Sequence, residues 1–121
     1  MSTLPATLLG HISSDVWLES KDVHIEQLDV RLQRFVSQAG QVHSILFKKP
    51  LVITSGNDGA HATNSAHYRN AAVDLRTKDI APLEQYIFLV VLVHLAEEER
   101  IMVSDERLRE TGPHYHCELA G

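Results

Sequence analysis

The sequence predicts a small α+β protein in which an antiparallel sheet is flanked by helices. Two segments show helical apolar spacing, and several short runs of apolar and β-branched residues lie between and after them. The chain has 121 residues, 44% of them hydrophobic, which is the size and composition of one domain with a packed core. We therefore expect an N-terminal arm over residues 1–20 and a single domain over residues 21–121.

Apolar residues recur at helical spacing directly after the expected arm. They are Ile25, Leu28, Leu32, Phe35, Val36 and Ala39. This pattern predicts an amphipathic helix that begins after Asp22 and ends near Gly40. Residues 51–54 are then a β-branched run stopped by a Ser-Gly-Asn-Asp-Gly stretch. They are predicted to form a buried strand that leads into a loop.

The second half of the chain predicts a strand, a helix and two further strands. Residues 71–75 are the first strand candidate, and a helix is predicted over residues 82–98, with Pro82 in its first turn. The longest apolar run, residues 87–96, is much shorter than the roughly 20 residues that span a bilayer. We expect it to be a buried core element with His94 as a core histidine. The last strand candidates are residues 100–104 and 115–119.

The charge and cysteine content exclude several classes of partner and site. The chain has 11 basic and 16 acidic residues, and no basic cluster is longer than Lys48-Lys49. Nucleic acid and anionic membranes are therefore not expected partners, because both require a basic surface. The single cysteine, Cys117, leaves histidine and carboxylates as the ligands for any metal. The first thirty residues do not resemble a secretory signal, so synthesis in the cytoplasm is expected.

Four of the eight histidines occur in two close pairs, His61 with His67 and His114 with His116. Side chains two positions apart on a strand share one face, so His114 and His116 are expected to project into one site. A loop bearing His67 and a strand bearing Asp74 could face them. Two histidines and one aspartate match a catalytic zinc site, which leaves a fourth position for water. Spacing alone leaves open which of the four histidines bind the metal.

Two motifs resemble those of the hedgehog/D-alanyl-D-alanine peptidase superfamily of zinc proteins. Residues 65–74, Ser-Ala-His-Tyr-Arg-Asn-Ala-Ala-Val-Asp, resemble its Ser-x-His-x-x-Gly-x-Ala-x-Asp motif, and residues 113–118 resemble its His-x-His strand. The resemblance covers roughly residues 51–121 and implies a hedgehog/DD-peptidase-like fold that binds zinc. The ligands that it implies are His67, Asp74 and His116.

The resemblance also implies the remaining residues of the site. His61 lies six positions before His67, and Glu110 lies six positions before His116, where hedgehog signalling domains carry a histidine and a glutamate that line the site. Glu110 is therefore the candidate general base, a role worth about 10²–10⁴-fold in rate. His114 and His61 are candidates to hydrogen-bond to the developing oxyanion.

Two departures from the family pattern bear on the activity. The glycine of the first motif is Asn70, a residue that tolerates the left-handed backbone conformation. Many bacterial carboxypeptidases of the family carry an arginine that holds the terminal carboxylate of the substrate, and this chain has Asn57 and Asp58 there. Its absence favours an endopeptidase, unless Arg69 or Arg76 takes over that role.

The function expected from the resemblance is zinc-dependent cleavage of peptidoglycan stem or cross-link peptides by a phage or bacterial enzyme that is released or delivered to the cell wall. The alternative is a zinc-containing binding module without turnover, as in hedgehog signalling domains. Bacterial members often carry the base three residues before the last histidine, where this chain has Pro113. Catalysis is therefore expected to depend on Glu110.

Overall fold

The structure, a computed structural model, describes residues 4–5, 15–56, 70–108 and 112–120. The α+β class predicted from the sequence is confirmed. In chain order the elements are β1 (Leu4–Pro5), β2 (Val16–Leu18), α1 (Val30–Phe47), β3 (Leu51–Ser55), β4 (Ala72–Arg76), α2 (Pro82–Glu99), β5 (Ile101–Asp105) and β6 (His114–Leu119). Neither of these two helices, within the described ranges, is long and apolar enough to cross a membrane.

The strands form one mixed sheet with the order β1-β2-β3-β4-β6-β5. β2 and β3 are parallel and the other described pairs are antiparallel, so the expectation of an antiparallel sheet is wrong for this one pair. A parallel pair needs a long crossover connection, and α1 supplies it between β2 and β3. Val16–Leu18 was expected to belong to the arm, but it is a strand of the sheet and Val16 is fully buried.

The start of α1 is set by a capping interaction rather than by apolar spacing. Asp29 is the N-cap, and its side chain accepts a hydrogen bond of 2.9 Å from the backbone N–H of Arg31. The predicted start after Asp22 is therefore wrong. Ile25 and Leu28 are buried, but they lie in the turns that precede the helix. Their spacing reflected burial in the core and not helical structure.

The predicted end of α1 near Gly40 is also wrong, because the helix continues to Phe47. Gly40 is a buried residue within the helix, and a Cβ atom there would overlap Cγ2 of Val16 on β2. The glycine permits close approach of helix and strand. The helix ends at Lys48, which adopts the left-handed conformation with a φ of 60°.

The bounds predicted for α2 are confirmed to within one residue, but its expected burial is wrong. The side that packs toward the core buries three residues, namely Phe88, Leu92 and Ala96. Five large apolar residues are exposed on the other side, and His94 is exposed as well. Because both sides of the helix are apolar, the sequence pattern does not reveal which side faces the core.

The two faces of the sheet differ in chemistry at β4 and β6. Val73 and Leu75 on β4 alternate with Asp74, and they are fully buried in the hydrophobic core. Tyr115 and Cys117 on β6 occupy the same core. Because neighbouring strand residues point to opposite faces, Asp74 and the β6 histidines lie on the face away from this core.

Candidate metal centre

Asp74 and His116 face each other across the pairing of β4 with β6, in which they are direct partners. His116 Nδ1–H donates a hydrogen bond of 2.8 Å to Asp74 Oδ1. Both side chains are largely buried, with exposed fractions of 17% for His116 and 12% for Asp74. The fold thus brings together two of the three residues that were expected to bind zinc.

The imidazole of His116 lies between two carboxylates. Its second nitrogen, Nε2, is 2.8 Å from Glu118 Oε1, and Glu118 lies two residues later on the same strand. The hydrogen bond with Asp74 raises the pKa of His116 to about 9, the bond with Glu118 adds to this effect, and burial opposes it. A metal that binds at Nδ1 must therefore displace a proton from this ring.

His114 lies beside this pair on the same face of β6. Its Nδ1 donates to the carbonyl oxygen of Gly112 at 2.8 Å, and its Nε2 lies 3.0 Å from Glu106 Oε1. The same Nε2 is 3.8 Å from Asp74 Oδ1, and the residue is buried. Both ring nitrogens are therefore engaged, which fixes the orientation of the imidazole next to Asp74.

The other predicted site residues lie outside the described residues: His67, His61, Glu110, Asn57, Asp58 and Arg69. Within the ranges that the structure describes, no group of three or more histidine, cysteine or acidic side chains could hold a metal ion. Asp74 and Glu118 contact opposite edges of the His116 ring and cannot share one ion with it. The expected third ligand, His67, belongs to the segment 57–69.

The described residues nevertheless fit half of a zinc site. Two ligand atoms about 2 Å from a tetrahedral zinc ion lie roughly 3.3 Å apart. Asp74 Oδ1 and His116 Nδ1 are 2.8 Å apart, so a shift of about half an ångström accommodates the ion. Asn70, just before β4, has a φ of 57°. This is the left-handed conformation that Asn70 was expected to tolerate.

A cleft of about 570 Å³ lies between α2 and the segment that follows β5, and Glu106, which contacts His114, is one of its lining residues. The guanidinium carbon of Arg107 lies 4.5 Å from the centre of the Tyr86 ring. Arg107 also forms a 2.6 Å ion pair with Asp105, which holds it at the cleft wall. The other lining residues are Gln85 and Leu108. The cleft therefore offers aromatic, apolar and charged surface on the α2 side of the sheet, whereas His114 and His116 lie on the other face.

A smaller cavity of about 100 Å³ touches His114 and includes Arg76 among its lining residues. The Arg76 guanidinium binds Asp79 through Nε at 2.8 Å and through Nη2 at 2.9 Å. Its Nη1 lies 3.3 Å from Glu19. Two carboxylates thus already neutralise the arginine that was considered as an alternative partner for a terminal carboxylate of the substrate.

Glu106 and Glu118 were not predicted from the sequence. Glu118 had a detectable signal, because it lies two positions after His116 and so shares its strand face. Glu106 had no such signal in the sequence, because it lies eight positions before His114 and only the pairing of β5 with β6 brings the two together.

No protein-family model matches this chain, and a search among curated proteins found no match either. What the site can do must therefore follow from its own residues. The imidazole of His116 and the carboxylate of Asp74 are joined by a hydrogen bond, and a second imidazole, that of His114, is fixed beside them.

Proposed function

We propose that this protein is a zinc-dependent peptidase with a hedgehog/DD-peptidase-like fold. Zinc would be held by His67, Asp74 and His116. The observation that carries the proposal is the direct pairing of Asp74 with His116, whose Oδ1 and Nδ1 atoms lie 2.8 Å apart. These are the two described residues that the motif resemblance assigns as ligands.

When bound by these residues, zinc would supply Lewis acidity, which would lower the pKa of water to about 7 and polarise the carbonyl group of a peptide bond. Glu110 then accepts the proton of the attacking water and passes it to the leaving amine. His114 and His61 donate hydrogen bonds to the carbonyl oxygen as negative charge develops. The bond of His114 Nδ1–H with the Gly112 carbonyl oxygen would keep the ring in place, while its Nε2–H would exchange Glu106 for the carbonyl oxygen of the substrate.

The proposed substrates are peptidoglycan stem or cross-link peptides that are cut internally. An internal cut is favoured because Arg76 is held by Asp79 and Glu19 rather than available for a terminal carboxylate. Asn57 and Asp58 provide no replacement.

Activity is tested by incubating the zinc-loaded protein with purified peptidoglycan and measuring new amino termini. We expect release by the wild type, no release by His116→Ala, and a loss of about 10²–10⁴-fold in Glu110→Gln. Glu97→Gln is the matched control, because Glu97 is an exposed carboxylate near the far end of α2. Unchanged release by Glu110→Gln would remove the proposed base. No release from any wall type would favour the zinc-containing binding module.

Zinc binding is tested separately by metal analysis and by thermal unfolding. We expect one equivalent of zinc in the wild type and none in His116→Ala. At a free zinc concentration of about 100 times Kd, binding should add about 2.7 kcal/mol to the free energy of unfolding. A wild-type protein that is folded and gains no stability from zinc would contradict the proposed metal site.

A further inference from the structure

The sheet face that carries Asp74 and His116 also carries the smaller cavity, of about 100 Å³, which we call the β4 cavity. Its lining includes one acidic and two strongly basic residues, namely Glu19, Arg76 and Lys78. Arg76 lies two positions after Asp74 on β4 and is the direct partner of His114 on β6. Because residues two apart on a strand share a face and span about 7 Å, the cavity lies next to the Asp74–His116 pair. A group bound there would belong to a residue close to the bond that the proposed site cuts.

Arg76 fixes one wall of the β4 cavity. Its guanidinium binds both carboxylate oxygens of Asp79, and its Nη1 donates to Glu19 Oε2 at 3.3 Å. The Arg76 side chain is only 16% exposed, whereas that of Glu19 is 44% exposed. The second oxygen of Glu19, Oε1, has no hydrogen-bond partner among the residues that the structure describes. Arg76 thus holds Glu19 at the wall, and Glu19 offers a carboxylate oxygen to a ligand.

Lys78 supplies the opposite charge to the β4 cavity. It is exposed, and it forms no ion pair with another residue in the described ranges. The charges of Arg76 and Asp79 cancel, because these two side chains form a bidentate pair. The cavity therefore presents one anion, Glu19, and one cation, Lys78, that do not pair with each other.

The other ionisable groups around the β4 cavity are already engaged. His114 lines the cavity, but its two nitrogens contact Gly112 and Glu106. Lys49 approaches from the side of Asp79, where its Nζ donates to the Asp79 carbonyl oxygen at 2.7 Å. These groups therefore leave the two opposite charges of the lining as the ones that a ligand meets.

The size and the charges of the β4 cavity indicate which group it binds. Its 100 Å³ is well below the roughly 300–1,000 Å³ of a pocket for a whole ligand, so it takes one functional group of a larger molecule. A carboxylate alone would bind Lys78 but lie beside Glu19, and an ammonium alone would bind Glu19 but lie beside Lys78. Like charges placed side by side repel. An α-amino-acid head group, which carries an ammonium and a carboxylate on one carbon atom, gives each charge a partner.

We propose that the β4 cavity is a subsite for the free α-amino-acid head group of a substrate side chain, with the carboxylate on Lys78 and the ammonium on Glu19. This inference rests on the proposed peptidase function and narrows its substrate class. Diaminopimelate residues in peptidoglycan stems carry such a head group, whereas lysine residues carry the ammonium alone. Cross-linking turns the ammonium into an amide and removes the charge that Glu19 binds. The substrates are therefore diaminopimelate stems that are not cross-linked through this residue.

The carboxylate contact is tested by isothermal titration calorimetry with stem tripeptides that end in diaminopimelate, with the side-chain carboxylate free or amidated. Zinc-loaded Glu110→Gln protein is used, because its hydrolysis is suppressed. We expect the free form to bind about fivefold more tightly, the effect of one solvent-accessible ion pair. Adding Lys78→Gln should make the two affinities equal, and adding Lys21→Gln, at an exposed lysine outside the cavity, should not. A preference that survives Lys78→Gln, or no preference before it, would overturn the proposal.

The ammonium contact is tested in the same way with the side-chain amine free or acetylated. We expect a preference of about fivefold for the free amine, which Glu19→Gln should abolish. The glutamine keeps an amide oxygen that accepts from Arg76, so the wall of the cavity is retained. Glu97→Gln, at an exposed carboxylate on α2, is the matched control and should keep the preference. Equal preferences in Glu19→Gln and Glu97→Gln would contradict the proposed contact.

Cleavage of the same peptides by the zinc-loaded wild type separates this subsite from the peptidase function. Binding that depends on both charges, without cleavage, would support the subsite and contradict the peptidase. Cleavage with equal kcat/KM for the free, amidated and acetylated peptides would support the peptidase and overturn the subsite. The absence of binding to any of the peptides would overturn the subsite as well.

Discussion

At the scale of single residues, His116 matters because its two nitrogens have different partners. Nδ1 faces Asp74 and Nε2 faces Glu118, each at 2.8 Å. A histidine that binds a metal usually donates its other N–H to a carboxylate or carbonyl, which fixes the tautomer and the orientation of the ring. Glu118 has this position, so Nδ1, which faces Asp74, is the nitrogen that would bind zinc in the proposed site.

Replacement of Glu118 should therefore weaken zinc binding without removing a ligand. We expect Glu118→Leu to lower zinc affinity by about 10–100-fold. Glu118→Gln should stay close to the wild type, because its amide oxygen still accepts a hydrogen bond from Nε2–H. Competition with a chromophoric chelator measures both values. Wild-type affinity in Glu118→Leu would show that the contact with Glu118 does not position the ring.

At the scale of elements, the start of α1 depends on one side chain. Asp29 accepts hydrogen bonds from the backbone N–H of Arg31 at 2.9 Å and from Arg31 Nε at 3.1 Å. The Arg31 guanidinium and its hydrogen bonds hold the pKa of Asp29 below its usual value, so this carboxylate is ionised at neutral pH. The helix begins at this cap, although apolar residues at helical spacing precede it. The reason is that the cap gives a hydrogen-bond partner to a backbone N–H that would otherwise lack one.

Asp29→Ala should destabilise the protein by about 1 kcal/mol, within the range known for the loss of a helix N-cap. Asp29→Asn is the matched control, since its amide oxygen accepts from the backbone N–H of Arg31 while the ion pair is lost. It should retain most of the stability because an exposed ion pair contributes little. Urea unfolding at pH 7 measures both variants. Equal losses of stability in the two variants would show that the ion pair with Arg31, and not the helix cap, provides the stabilisation.

At the scale of the whole molecule, His43 joins α1, α2 and the segment that leads into β3. Its ring lies edge-on to Phe47 and to Phe88, with centres 5.1 Å and 4.9 Å away. Its Nδ1–H donates to the carbonyl oxygen of Lys49 at 2.7 Å. Burial lowers the pKa of His43 from its ordinary value of 6.5. The folded protein therefore favours the neutral imidazole.

The free energy of unfolding should consequently fall on mild acidification, because His43 becomes protonated more readily in the unfolded chain. The unfolded chain binds a proton near pH 6.5 and the folded one only at lower pH. The contribution of neutral His43 to the free energy of unfolding is thus complete above pH 6.5. It is lost as the pH falls toward the folded-state pKa, by at most about 1.4 kcal/mol per pH unit. His43→Gln keeps a donor for Lys49 but does not titrate, so the difference in unfolding free energy between variant and wild type should change between pH 7.5 and 5.5. A difference for His43→Gln that stays constant over this pH range would contradict the prediction.

Local pattern predicted most of the elements. β3, β4, α2, β5 and β6 lie within one or two residues of their predicted positions, because their spacing and turn residues agree with the final structure. The parallel β2–β3 pair was missed, since a three-residue strand carries almost no pattern and its partner is distant in the sequence. The glycine in α1 was misinterpreted for the same reason, because its role depends on Val16.

The sequence by itself determined the fold class, the strand that carries His114 and His116, and the motifs that suggest zinc. Only the tertiary structure decided that Asp74 lies directly opposite His116, that Glu106 and Glu118 hold the two histidines, and that α2 keeps an apolar side exposed. Residue spacing fixes which side chains share a face of one element. Contacts between residues far apart in the chain decide which elements pair and which face of a helix the core covers. The spacing of residues along the chain does not indicate these contacts.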